Sequence, residues 1–183
     1  METSVYHFWF GVDPMTWFQQ GARYDSMIKD RFLDCLELAE IGYFDKWAHT
    51  KKGFVSLIIV LDQFTRHIYR GRRQAYRNDK RTVKLLDTYL ATYIHRLHPK
   101  EALFVLLPYQ HSLRMADQNK GYLCLQALIQ KFPTNRLLRS ALQHQVGHMN
   151  VLRRFGRFPK RHAYQTLSRE EKRYVRRTPH VPY

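Results

Sequence analysis

Phe54-Val55-Ser56-Leu57-Ile58-Ile59-Val60-Leu61-Asp62-Gln63-Phe64-Thr65-Arg66-His67-Ile68 is apolar around most of a helical circumference. A helix greasy on nearly every side must be wrapped by other elements, so this stretch predicts the central buried helix of an all-helical protein. Asp62, Arg66 and Arg70 follow one another at four-residue steps and share a face, with Gln63 and His67 in the neighbouring row. Charge buried there without a partner is costly, so these groups are expected to pair with one another. Two readings of the pairing stand side by side. Either an Asp62–Arg66 salt bridge simply pins neighbouring helices, or Asp62 orients Arg66 and leaves Arg70 to hold an anion bidentately.

Working outward, helical punctuation recurs along the chain. Asp13-Pro14 reads as a helix start. Tyr24, Ile28, Phe32, Cys35, Leu36 and Ala39 form the apolar stripe of a helix that Gly42 ends. Val83 to Leu97 and Glu101 to Ala116 read as helices divided by His98-Pro99. Tyr122 to Phe132 is stopped by Pro133. Thr134 or Asn135 caps a run to Arg154 whose apolar face is Leu138, Leu142, Met149 and Leu152. Ser168-Arg169-Glu170-Glu171 is a capping box that opens a last short helix. No strand-like alternation and no hairpin signal interrupts them. About seven antiparallel helices are therefore expected, in one domain over residues 1–183, with no strict 34-residue repeat. A basic C-terminal arm is expected from about residue 173, holding Arg176, Arg177 and two prolines.

Composition bounds the partners. The 183 residues, 44% of them hydrophobic, suffice for one sizeable core. There are 31 Lys and Arg against 15 Asp and Glu, a net charge of +16. Residues 1–50 hold eight acids and four bases, so residues 51–183 carry a net +20. Such an excess favours RNA or DNA, an acidic protein or a ribonucleoprotein, unless it only keeps the surface solvated. Cys35 and Cys124 fall in helical apolar runs and read as core thiols of a reducing compartment. The start of the chain lacks a basic signal-peptide region, and the longest apolar run, Phe54 to Leu61, is too short to span a bilayer. The expectation is no membrane insertion and a place in the cytoplasm or another reducing intracellular compartment.

The segments that carry chemistry are few. Phe155-Gly156-Arg157-Phe158-Pro159-Lys160-Arg161 uses two aromatics, a glycine and a proline to anchor a loop from which Arg154, Arg157 and Arg161 can be aimed. With Arg66 and Arg70 they are expected to converge on a hollow for a phosphate- or carboxylate-bearing ligand. In Pro108-Tyr109-Gln110-His111-Ser112, proline breaks a helix just before His111, and Asp117-Gln118 follows as a candidate ligand-binding pair. His111 is a candidate acid–base group, although a lone helical histidine is more often a structural donor. His148 is a second such candidate, pointing to the side on which the arginine loop starts. His144 and His148 have the spacing of metal ligands, but no glutamate or cysteine set accompanies them, so no metal is expected. Walker, dinucleotide, serine-elbow and RNA-recognition motifs are absent, and no cofactor is implied.

Taken together these segments resemble the domain-of-unknown-function 924 family. The matching stretches are Phe8-Trp9-Phe10-Gly11, Leu61-Asp62-Gln63-Phe64 with Arg66 and Arg70-Gly71, Leu107-Pro108 with His111-Ser112, Asp117-Gln118, and His148 with the run from Arg154 to Pro159 and Arg161. The resemblance implies an all-helical fold with a right-handed, tetratricopeptide-repeat-like stack, and it implies no reaction. This chain departs from the family pattern at His67 and His162, where asparagine is usual, and at Leu113, where an acid is usual. It also shortens the element around Thr166-Leu167-Ser168. These departures are consistent with a divergent basic member kept for binding or structure. Three readings follow: an anion- and nucleic-acid-binding protein, an interaction scaffold for an acidic partner, or an enzyme using His111 or His148.

Overall fold

The computed structural model describes residues 1–14, 16, 17 and 21–178, which are helices and connecting turns without a strand. The chain divides into two compact units, Met1–Pro108 and Tyr109–Tyr183.

The first unit holds α1 (Glu2–Phe10), α2 (Asp25–Glu40), α3 (residues 51–68), α4 (Asp79–Tyr93) and α5 (Pro99–Val105). Every residue from 53 to 65 is buried, as the apolar circumference of α3 predicts. The Thr50 hydroxyl caps α3 by accepting the Gly53 N–H at 3.0 Å. Gly53 is required there, because a Cβ would stand 2.3 Å from the Trp47 carbonyl oxygen. Around α3 lies an aromatic core in which Trp9 stacks on Trp17 at 4.0 Å and Phe64 meets Phe32 at 4.7 Å. Glu101, buried in the capping box of α5, receives Tyr6 Oη at 2.6 Å and Lys51 Nζ at 2.7 Å, which ties α1 and α3 to α5. The carboxyl group is itself buried, yet Lys51, Tyr6 and the His98 N–H hold its pKa below the usual range.

α6 (Leu107–His111) leads into the second unit, which holds α7 (Met115–Lys131), α8 (Arg136–Phe155) and α9 (Arg169–Arg177). α7 and α8 pair antiparallel across a tight turn, and the Asn135 side chain caps α8 by accepting the Leu138 N–H at 3.1 Å. Gly156, at φ +67°, ends α8 in the left-handed conformation that favours glycine. Phe158 is fully buried against Val151 and Leu152, so the loop is anchored as its aromatics suggest. Helix pairing inside each unit is consistent with tetratricopeptide-like stacking.

Several boundaries differ from the sequence reading. The expected helix from Glu101 to Ala116 is divided at Leu106 and again at residues 112–114, and α7 begins seven residues before Tyr122. Within α3, Ile59–Phe64 form a π-turn, and the Thr65 hydroxyl donates to the Leu61 carbonyl at 2.8 Å. α1 lies where no helix was expected. α9 runs through Arg177, so the chain from 173 to that point is helical; Pro179 and Pro182 lie outside the described residues.

Candidate functional site

Each unit carries its own polar cluster. In the first, α3 presents Asp62 and Gln63 from its π-turn, then Arg66, His67 and Arg70. Asp62 is 2% exposed. It takes Gln63 Nε2 at 2.5 Å on one oxygen, and Arg66 Nη2 at 3.2 Å and Nε at 3.3 Å on the other. Arg66 also reaches Asp79 on α4, Nη2 to Oδ1 at 2.6 Å. Arg70 does meet an anion with two nitrogens, as its spacing allows, but that anion is Asp25 of α2: Nε to Oδ2 at 2.5 Å and Nη2 to Oδ1 at 2.9 Å. His67 Nδ1 lies 2.7 Å from Asp25 Oδ1. Asp25 is partly buried, yet hydrogen bonds from Arg70 and His67 hold its pKa below the ordinary carboxylate value.

The same pattern continues along this unit. Arg77 forks onto Glu40 with two bonds of 2.6 Å, and Arg81 reaches Asp45 at 2.5 Å. The acid-rich first 50 residues thus receive Arg70, Arg77 and Arg81. A recess of about 350 Å³ opens beside this cluster, lined among others by Asp25, Lys29, His67, Arg70 and Arg72. Three cations and two carboxylates, Asp25 and Glu37, face it.

In the second unit the polar groups hold the break between α6 and α7. Ser112 Oγ donates to Asp117 Oδ2 at 2.6 Å. Gln118 Nε2 donates to the Gln110 and Ser112 carbonyls, both at 2.7 Å. From α8, Gln145 Nε2 reaches Gln118 Oε1 at 2.5 Å. Asp117 Oδ1 and Gln145 Oε1 are buried without a hydrogen bond, with Lys120 Nζ 4.0 Å from the former. Gln118 therefore braces the backbone and Asp117 holds the Ser112 hydroxyl, at positions the sequence reading assigns to ligand binding.

His111 and His148, the two acid–base candidates, come together with ring centroids 6.4 Å apart. His148 Nδ1 lies 2.8 Å from the His144 carbonyl, which can only accept, so Nδ1 carries the proton. Burial is the main cause that brings the His148 pKa down to about 3, against the opposing bond to the His144 carbonyl, with smaller contributions from His111, Arg161 and His144. The loop arginines are arranged individually. Arg154 meets Glu170 at 2.7 Å, Arg157 forks onto Glu171 at 2.6 and 2.8 Å, and Arg161 lies over the Phe158 ring at 4.5 Å. Arg157 and the capping bonds of Ser168 hold Glu171 down at about 2. Arg66 and Arg70 belong to the first unit and Arg154, Arg157 and Arg161 to the second, and the pairing acids of both sets lie within their own units.

Sequence reasoning missed Asp25, Asp79 and Gln145, whose roles come from packing between helices remote in sequence. Among the described residues, no group of three or more His, Cys, Asp or Glu could hold a metal ion, and no helix is long and apolar enough to cross a membrane. Cys35 and Cys124 are free thiols.

The pattern of a family described as bacterial protein of unknown function (DUF924) matches residues 5–178. The chain belongs to this DUF924 family. It is also similar to the solved structure of a protein of unknown function from Agrobacterium tumefaciens. The two are 27% identical with a TM-score of 0.83, over 96% of this chain and 97% of the other. No match to a curated protein was found. The neighbour and the family establish the all-helical fold of this DUF924 chain; neither carries a reaction.

Proposed function

We propose that this DUF924 protein binds nucleic acid through the surface of its second unit. The observation that carries the reading is the uneven distribution of charge between the units. Residues 109–183 hold 15 Lys and Arg against 3 Asp and Glu, a net +12, whereas residues 1–108 hold 16 against 12, a net +4. Even the three acids of the second unit are engaged at home, Asp117 by Ser112, Glu170 by Arg154 and Glu171 by Arg157. An excess of this size exceeds what solubility asks of a small domain and favours a polyanionic partner. Within the same reading, the recess beside Lys29, Arg70 and Arg72 is the place for a small phosphate or carboxylate ligand.

The test is fluorescence polarisation with labelled 20-residue RNA and DNA across a salt series. Binding that weakens about a hundredfold or more between roughly 50 and 200 mM salt is the expected result. Absence of binding, or affinity indifferent to salt, overturns the reading in favour of a scaffold that docks other proteins.

A further inference from the structure

We propose that α8 is a recognition helix that lies in the major groove of duplex DNA, with its arginine-bearing ends on phosphates and Gln143 and Asn150 on base edges. This rests on the nucleic-acid reading above and gives it a substrate class and a register.

The sequence of α8, RLLRSALQHQVGHMNVLRRF, contains no acid in 20 residues. Arg136, Arg139, Gln143, Val146, Asn150 and Arg153 follow at three- and four-residue steps, and all six are exposed. They therefore form one continuous solvent-facing stripe along the whole helix. The opposite face, with Leu138, Ala141, Gln145, His148 and Leu152, is buried, which fixes the rotation of α8 and keeps the stripe outward. The positive charge on the stripe is not cancelled by its neighbours. Arg139 donates to the Pro133 carbonyl at 3.1 Å and Arg153 to Asn150 Oδ1 at 3.1 Å, both neutral oxygens.

The order of side chains along the stripe points to duplex DNA. Guanidinium groups occupy its two ends, and a charge-free stretch with two amides occupies its middle. Arg139 and Arg153 are separated by fourteen residues, about 21 Å of helix. A helix laid obliquely in a groove about 12 Å wide brings both ends to the phosphate walls and its middle to the base pairs. Glutamine and asparagine are the side chains that pair bidentately with adenine, and Val146 supplies the apolar contact that suits a thymine methyl. An acidic protein partner has no comparable use for a central amide pair between cations. The major groove of A-form RNA is too deep and narrow to admit a helix, which disfavours double-stranded RNA.

The experiment compares wild type with two variants on a 20-base-pair duplex DNA, an RNA hairpin of equal length and heparin, with melting temperature confirming that each variant is folded. The triple variant Arg136→Ala, Arg139→Ala, Arg153→Ala is expected to bind the duplex about tenfold or more weakly and to lose about three from the log–log salt slope. The double variant Gln143→Ala, Asn150→Ala is expected to lose the preference among sequences that wild type shows after selection from a random pool. Should the triple variant fail to fold, Arg153→Ala alone is expected to show about a third of the slope change. Duplex binding that ignores the arginine substitutions overturns the inference while leaving nucleic-acid binding intact. So does binding of the RNA hairpin or heparin as tight as that of the duplex. A wild-type protein that binds none of the three probes overturns both.

Discussion

The two units use arginine in opposite ways. In residues 1–108, Arg66, Arg70, Arg77 and Arg81 each rest on a carboxylate of the same unit, and one of these, Asp62, is buried. In residues 109–183 the acids are three, each engaged, and arginines such as Arg136, Arg139 and Arg153 remain at the surface with no acid on their helix. One residue type thus serves two physical ends. Fixed by carboxylates between helices, it holds the fold; left exposed and in excess, it creates a field that a polyanion answers. The net +20 counted over residues 51–183 overstates the basic surface, because Arg70, Arg77 and Arg81 meet acids from residues 1–50.

The strongest way to break this contrast is to remove the buried acid of the first unit. Asp62→Ala leaves Arg66 with Asp79 alone and strands Gln63 Nε2 in a dry core. Breaking a buried pair in this manner costs about 3–5 kcal/mol, and urea unfolding should register a loss of that size. The freed guanidinium should not raise affinity for DNA. A stability change under about 1 kcal/mol would mean that the first unit's pairs hold nothing together.

A smaller effect sharpens the contrast from the other side. In the second unit, burial and nearby cations keep His148 neutral in the fold down to about pH 3, whereas in the unfolded chain it takes up a proton near its ordinary value of 6.5. Between those values the unfolded state binds the extra proton, so stability falls as pH falls and levels off once the folded form also protonates. The slope is at most about 1.4 kcal/mol per pH unit. His148→Phe should flatten it, and the check is urea unfolding of both proteins between pH 7 and pH 4. Parallel curves would mean that burial does not keep His148 neutral in the fold.

Much of this architecture is legible in the sequence, and what is hidden has a common cause. The apolar circumference of α3, the stripe of α2, the Asn135 cap, the Ser168 capping box and the glycine stop at Gly42 are local signals, and each lies within a few residues of what it specifies. The π-turn in α3 is invisible because it shifts backbone hydrogen bonds without disturbing the apolar pattern. The second partner of Arg66 and the partners of Arg70, Arg77 and Arg81 lie 13 to 45 residues away, beyond any periodicity. One signal could have found them: the acid excess of residues 1–50 complements the basic run that follows. The bracing role of Asp117 and Gln118 was hidden because a polar pair after a helix break reads equally as a ligand site.

Within the second unit, packing gives a comparison of its own. Gly121 on α7 faces Gln145 on α8, and a Cβ there would stand 2.8 Å from Gln145 Oε1 and 2.9 Å from the Tyr109 Cβ. Gly121→Ala gains about 1 kcal/mol of helix propensity and loses about 1–3 kcal/mol to overpacking, so a modest net loss of stability is expected in thermal melts. Stabilisation instead would show that the Gln118–Gln145 brace yields easily and that the polar cluster is not tightly packed.

The smallest effect on stability tests the contrast most directly. Arg173 is exposed on α9 of the cationic unit, and Arg72 is exposed in the first unit beside Asp25 and Glu37. Either substitution to alanine should change stability by no more than about 0.5 kcal/mol, since neither side chain is buried. Their effects on nucleic-acid binding should separate. Arg173→Ala is expected to lower the log–log salt slope by about one, the signature of one lost phosphate contact, while Arg72→Ala leaves it unchanged. Equal slopes for the two variants would show that the field extends evenly over both units, and that the difference in net charge between them has no bearing on where a polyanion binds.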